Sequence, residues 1–198
     1  MAQLVDFSQI VIGSYMTAAK HASTDIEVIR SAVLNTLRIY RVKFVNEYGE
    51  LVLCCDDRHT WRKEIFPNYK ASRKKTKKTS GINWSNLYDC LNQLKDEFRV
   101  WFPYKVIQVE GAEADDIIAT LVGISNERTL ILSSDKDFVQ LQRFNVRQYS
   151  PIQKNYFDMF YNWSLRSGQW HQFLNAIEQD IPLEEIEEEK ETQDVTTS

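Results

Sequence analysis

The chain has 198 residues and a formal net charge of −4, with 43% apolar and 26% charged residues. That is ordinary globular composition, which excludes disordered, collagenous and disulfide-framework classes. No apolar run approaches the ~18 residues of a membrane span, and Met1-Ala2-Gln3-Leu4 has no basic segment of the secretory type, so a cytoplasmic protein is expected.

The elements alternate along the chain. Leu4-Val5 opens a short strand that runs into Asp6. Ile26, Ile29, Val33, Leu34 and Leu37 predict a helix over about 24–40, with Thr24 and Glu27 at capping-box spacing. Leu51 to Cys55 is a continuous apolar run ending at Asp56, which predicts a strand buried on both faces. Residues 58–80 are basic and polar with little periodicity. Asn83 caps a predicted helix over 84–101. A strand over 104–109, a short helix over 112–122, and strands over 129–132 and 146–149 follow. Strands separated by helices imply an α/β fold with a mainly parallel central sheet. Residues 1–154 read as one domain. Residues 155–180 form an aromatic-rich segment, and 181–198 an acidic tail expected to be disordered.

Charge is unevenly spread. Residues 1–154 carry a net +4 and residues 155–198 a net −8. From Arg58 to Lys78 there are nine Lys/Arg against the single acid Glu64. Such a block suits phosphate groups, although a solvated loop has the same composition. Cys54, Cys55 and Cys90 are few and lie largely in apolar surroundings, so reduced thiols are expected. The three histidines are far apart, which gives no support to a histidine metal site or a Ser-His-Asp triad.

The chemistry lies in acids at strand ends. Asp6 follows the first strand, Asp56 and Asp57 the second, and Asp135 and Asp137 a later one, while Glu113, Asp115 and Asp116 open a helix. In open α/β sheets, sites form outside the carboxyl ends of the strands. One acid there is usually a cap or turn residue, and Asp57 in particular suits a turn. Several converging acids repel unless a hard cation neutralises them, and Mg2+ takes carboxylate and water oxygens. Carboxylate-held Mg2+ beside a basic segment points to phosphodiester hydrolysis. No Gly-x-x-x-x-Gly-Lys-Ser/Thr loop occurs, so a P-loop ATPase is unsupported.

Five segments occur in a telling order: Val5-Asp6-Phe7-Ser8, Asp56-Asp57-Arg58-His59-Thr60-Trp61-Arg62, Phe66-Pro67-Asn68-Tyr69-Lys70-Ala71-Ser72-Arg73, Glu113-Ala114-Asp115-Asp116 and Ser133-Ser134-Asp135-Lys136-Asp137-Phe138. Over residues 4–154 the chain resembles the structure-specific 5′ nucleases: flap endonucleases, the 5′-3′ exonuclease domain of DNA polymerase I and the ribonuclease H enzymes of tailed phages. The resemblance implies a PIN-like domain and Mg2+-dependent 5′-3′ exonuclease, flap endonuclease and ribonuclease H activity in primer removal. It makes Asp6, Asp56, Glu113, Asp115, Asp116, Asp135 and Asp137 the acids of a two-ion site that Mn2+ can also fill. It gives Lys70 and Arg73 the task of stabilising phosphate charge and Tyr69 that of stacking on a base. Arg62, Lys74, Lys75, Lys77 and Lys78 become general nucleic-acid contacts. Trp61 and Trp84 read as packing residues. The implied partners are DNA and RNA–DNA duplexes with 5′ ends or flaps, and replication proteins such as a single-strand-binding protein or a clamp.

The family pattern continues with a Gly-Asp-x-x-Asp-Asn segment in a helix–three-turn–helix element, and nothing after Tyr149-Ser150-Pro151 matches it. The second ion's site is therefore expected to be incomplete. Two other readings stand beside the nuclease: a catalytically weak fragment that binds branched DNA, and a PIN-type ribonuclease, which leaves Tyr69-Lys70-Ala71-Ser72-Arg73 unexplained.

Overall fold

The computed structural model describes residues 1–21, 23–71, 77 and 79–157. The acidic tail, and most of the aromatic-rich segment, lie outside these residues. The chain divides into two units, Met1–Tyr156 and Phe157–Ser198.

In chain order the first unit contains β1 (Ala2–Asp6), α1 (Phe7–Lys20), α2 (Ile26–Tyr48), β2 (Leu51–Cys55), α3 (Trp61–Ile65), α4 (Trp84–Trp101), β3 (Lys105–Gln108), α5 (Ala114–Ile124), β4 (Thr129–Leu132), a 3-10 turn (Lys136–Leu141) and β5 (Val146–Ser150). A last strand, β6 (Asn155–Phe157), completes the sheet. The six strands lie in the order β3-β2-β1-β4-β5-β6. The pairings β1–β2, β1–β4, β2–β3 and β4–β5 are all parallel. The fold is the mainly parallel α/β sheet expected from the alternating pattern. Among the described residues no helix is long and apolar enough to cross a membrane.

Strand periodicity sorts the side chains into two cores. Val5, Leu53, Cys55, Leu130 and Leu132 face one side and pack with α1, α2 and α4. Leu4, Cys54 and Ile131 face the other and pack with Ala114, Ile117, Ile118 and Val122 of α5 and Phe138 of the 3-10 turn. This two-sided burial explains why β2 and β4 read as unbroken apolar runs.

Helices α1 and α2 differ from the sequence reading, and α3, the 3-10 turn and β6 are not among its elements. Helix α1 is not among the predicted elements: it starts directly from β1, and Ser14 interrupts its apolar face, yet Phe7, Ile10, Val11, Tyr15 and Ala18 are buried at helical spacing. Helix α2 runs on to Tyr48 because Tyr40, Phe44 and Tyr48 continue the buried row of Ile29, Val33 and Leu37. Its N-cap is Asp25 without a side-chain cap bond, rather than a Thr24–Glu27 capping box.

Phe98 of α4 is fully buried, and its ring meets Phe7, Phe102 and Tyr104 at centroid distances of 5.6, 4.8 and 6.0 Å. Phe98→Ala removes the side chain that joins α4 to α1 and should cost about 3–5 kcal/mol in a denaturant titration.

Candidate active site

The parallel strands end together, and the acids gather at that edge. Asp6 closes β1 and caps α1, accepting from the Gln9 amide at 3.1 Å. The Ser133 hydroxyl, at the end of β4, donates to its other oxygen at 3.3 Å. Asp56 follows β2 and accepts from the Ser8 hydroxyl at 2.6 Å and from the Ala114 amide at 2.8 Å. The second of these bonds brings the first turn of α5 onto the end of β2. Asp135 caps the 3-10 turn after β4 and accepts from the Asp137 amide at 3.0 Å. Asp137 itself is exposed.

Asp6 and Asp115 feel the charge of neighbouring carboxylates. Burial pushes the Asp6 carboxyl up to about 7, and the charges of Asp56 and Asp115 add to the rise. Burial also pushes Asp115 up to about 6, with Asp135 and Asp56 as the strongest repulsive neighbours. No hydrogen bond from the described residues reaches the Asp115 carboxylate. The edge between Asp6, Asp56, Asp115 and Asp135 therefore holds an excess of negative charge that a hard cation would relieve. Among the described residues, no three of these side chains stand close enough together to enclose an ion in their present orientations.

The remaining two acids of the Glu-Ala-Asp-Asp segment are engaged by cations. Glu113 is the N-cap of α5 in a capping box with Asp116. One of its oxygens accepts from the Lys70 ammonium and the other from the Tyr69 hydroxyl, both at 2.9 Å. Burial opposes the Lys70 charge, but the bonds to Glu113 and Tyr69 prevail and hold its pKa above normal. Lys70 adopts a left-handed backbone conformation with φ 55°. For a non-glycine residue that is a strained choice of the kind concentrated at functional sites. Asp116 receives a two-pronged bond from Arg62 at 2.7 and 2.7 Å.

Asp57 behaves as a turn residue. Its carboxylate accepts from the Gly111 amide at 3.0 Å and the Gln108 side chain at 2.8 Å. Those bonds, the Gly111 amide first, hold it down to about 2. Gly111 supplies that amide from a φ of 75°, where a side chain would be strained. The two neighbouring acids thus have different work: Asp56 borders the charged edge, and Asp57 ties β2 to the loop before α5.

Of the basic residues, Lys77 lies over the rings of Trp84 and Tyr88 at 4.9 and 4.7 Å, and its ammonium bonds the Tyr88 hydroxyl. Arg73, Lys74, Lys75 and Lys78 lie outside the described residues. Trp84 packs against the larger core, as expected. Trp61 does not: its side chain is 45% exposed, its ring lies 4.7 Å from the Arg62 guanidinium, and its indole N–H donates to Asp116 at 3.3 Å. The supporting donors Ser8, Gln9 and Ser133 have no assigned role in the sequence reading. The only signal for the two serines is a hydroxyl within two positions of a strand-end acid, and Gln9 gives none, because it donates through its backbone amide while its side chain accepts from the Ser134 amide.

Residues 1–164 match the model of the 5′-3′ exonuclease N-terminal, resolvase-like domain. The chain belongs to this family. It is 32% identical over 162 residues to Ribonuclease H of Enterobacteria phage T4, a match covering 77% of this chain and 53% of that protein. It is 34% identical over 107 residues to flap endonuclease Xni of Photorhabdus laumondii, covering 51% of this chain and 38% of that protein. The chain spans about half the length of the curated relatives it matches. Its fold is similar to that of the bacteriophage T5 flap endonuclease crystallised with DNA and metal ions, with a TM-score of 0.63 at 18% identity over 86% of this chain and 60% of that one. The T5 5′-exonuclease with bound zinc gives a TM-score of 0.61 at 16% identity, covering 79% and 58%. Membership of the 5′-3′ exonuclease family agrees with the resemblance carried by the five sequence segments.

Proposed function

We propose that this 5′-3′ exonuclease-family domain is the catalytic part of a divalent-cation-dependent phosphodiesterase. It hydrolyses 5′ ends and flaps of DNA and RNA–DNA duplexes, as in primer removal. The observation that carries this reading is the coupled set Asp6, Asp56, Asp115 and Asp135 at the carboxyl edge of the sheet, two of whose pKa values are raised by burial and mutual charge. These acids, with Glu113 and Asp137, are the residues that would hold Mg2+ or Mn2+, in two positions. Bound there, the cation would acidify an attacking water and neutralise charge on the phosphate.

The chain's own groups supply the rest. Lys70 and Tyr69 stand on Glu113, so a phosphate arriving there competes with Glu113 for the Lys70 ammonium. Lys70 and Arg73 would then stabilise charge developing on the scissile phosphate. Lys74, Lys75, Lys77 and Lys78 would contact phosphates without reading sequence. Arg62, whose guanidinium is held by Asp116, would join them by exchanging that partner for a phosphate. Tyr69 would stack on a base, although the Lys70 ammonium lies 4.9 Å and the Arg62 guanidinium 5.8 Å from its ring centre. Replication proteins such as a single-strand-binding protein or clamp, in a cytoplasmic setting, complete the reading.

A second reading is favoured by a specific observation. Among the described residues no three acids enclose an ion. A binding module for branched DNA with weak catalysis fits that arrangement.

The test is cleavage of a 5′-labelled flap and an RNA–DNA hybrid with Mg2+ or with chelator. Wild type should give product only with Mg2+, and Asp6→Asn should give at least about 10²-fold less. No product, with tight salt-sensitive binding of the same fork, would select the binding module. A finer check compares neighbours: Asp56→Asn should abolish cleavage, whereas Asp57→Asn should retain it with a lowered melting temperature.

A further inference from the structure

We infer that Arg62 and Asp116 form a positioning clamp, and that Asp116 serves the cation site by holding the two-pronged Arg62 bond that Glu113, 3.4 Å from the guanidinium, would otherwise take. The inference rests on the reading that the neighbouring acids hold a divalent cation.

The Asp116 carboxylate already accepts four hydrogen bonds. Its Oδ2 accepts from the Arg62 guanidinium at 2.7 Å, the Glu113 amide at 3.0 Å and the Trp61 indole at 3.3 Å. Its Oδ1 accepts the second Arg62 bond at 2.7 Å. An ionised carboxylate has about four lone-pair sites, two to each oxygen, so Oδ2 is fully engaged and a cation reaching Oδ1 would have to share it with Arg62. These donors, Arg62 first, hold Asp116 below the ordinary carboxylate range. Asp115, one residue earlier, has the opposite environment: no donor among the described residues, and repulsion from Asp135 and Asp56. The adjacent acids of one helical turn therefore point to two tasks.

The clamp also restrains Arg62. Its guanidinium is sandwiched near the rings of Trp61 and Tyr69, at 4.7 and 5.8 Å. It already lies 3.4 Å from Glu113. With Asp116 neutralised, the nearest carboxylate left to Arg62 is Glu113, an oxygen donor of the proposed cation site. A bidentate arginine bond there would compete directly with a cation. Asp116 thus acts as the anchor that diverts a strong cationic competitor.

The clamp makes an unusual prediction about a double substitution. Mn2+ binding to the full chain is followed by calorimetry and by the loss of free-ion electron paramagnetic resonance signal. Asp116→Asn should weaken Mn2+ about tenfold, because Arg62 swings onto Glu113. Adding Arg62→Gln to that variant should return affinity to within about threefold of wild type. The asparagine side chain still accepts from the Glu113 amide and the Trp61 indole, so the turn is preserved. If Asp116 were itself a ligand, the double variant would stay as weak as the single one, and the clamp would be overturned. A wild-type chain that binds no Mn2+ overturns the cation reading and the clamp together. Wild-type crystals soaked in Mn2+ give a readout that needs no variant. Anomalous density should locate the ion while the electron density keeps Asp116 on Arg62, and an Asp116 oxygen in the inner sphere of the ion would refute the clamp.

Discussion

Asp115→Asn should make the metal-free protein more stable while removing its cleavage activity. Most substitutions of a partly buried polar residue are destabilising. This one removes a charge that the fold accommodates badly. Burial raises the Asp115 carboxyl to about 6, and Asp135 and Asp56 repel its ionised form. At pH 8 the carboxylate is ionised in spite of those costs. The neutral amide is nearly isosteric and relieves them. After allowance for screening at a half-buried site, the gain is about 1–2 kcal/mol, or a few degrees in melting temperature for a domain of this size. Cleavage should fall by at least about 10²-fold, since an amide is a much poorer ligand for a hard cation. Scanning calorimetry in chelator and initial rates in Mg2+ check the two halves separately. A lower melting temperature would mean that Asp115 is a structural partner rather than one of a repelling set. Retained cleavage would remove it from the site.

The same contrast explains what is legible in the sequence. Strand-end acids are visible because a short apolar run fixes where its strand stops, so Asp6, Asp56 and Asp135 share an edge as soon as the sheet is parallel. The buried strands β2 and β4 and the strongly periodic helix α4 carry their own bounds. Helix α1 does not, because a helix that leaves a strand without a turn gives no punctuation. Whether an acid faces the site or a neighbour is not legible either. Asp115 and Asp116 differ by one position and share a helical turn. Arg62 lies 54 residues from Asp116, and Tyr69 lies 44 from Glu113. Those bonds depend on the segment after β2 folding back over the start of α5, which the bonds from the Gly111 amide to Asp57 and from the Trp61 amide to the Gly111 carbonyl secure. No local pattern encodes that return. A basic block therefore looks uniformly suited to phosphate, although Arg62 and Lys77 already have intramolecular partners.

The melting temperature of the metal-free protein should fall as pH rises from 5.5 to 8, and Mg2+ should reverse the trend. Asp6 and Asp115 have folded-state pKa values of about 7 and about 6, above the ordinary carboxylate value. Between about pH 4 and 7 the folded chain keeps protons that the unfolded chain has released. Stability therefore decreases with pH across that window. Carboxylates with the opposite shift act elsewhere. The Gly111 amide lowers Asp57 to about 2, Arg62 lowers Asp116, and Arg30 lowers Glu97. Their contributions are complete above the ordinary carboxylate range and are lost only as pH falls below it. From pH 5.5 to 8 the raised pair alone sets the sign among the shifted carboxylates, and a drop on the order of 5 °C is expected. A divalent cation binds the deprotonated acids, so saturating Mg2+ should raise the melting temperature more at pH 8 than at pH 5.5. The Asp6→Asn, Asp115→Asn double variant should flatten both dependences, because an amide side chain in place of Asp6 can still accept from the Gln9 amide and keep the cap on α1. A melting temperature in chelator that is flat or rises between pH 5.5 and 8 would show that the two acids do not carry the strain the geometry assigns them. A Mg2+ effect that is equal at both pH values would place the cation away from them.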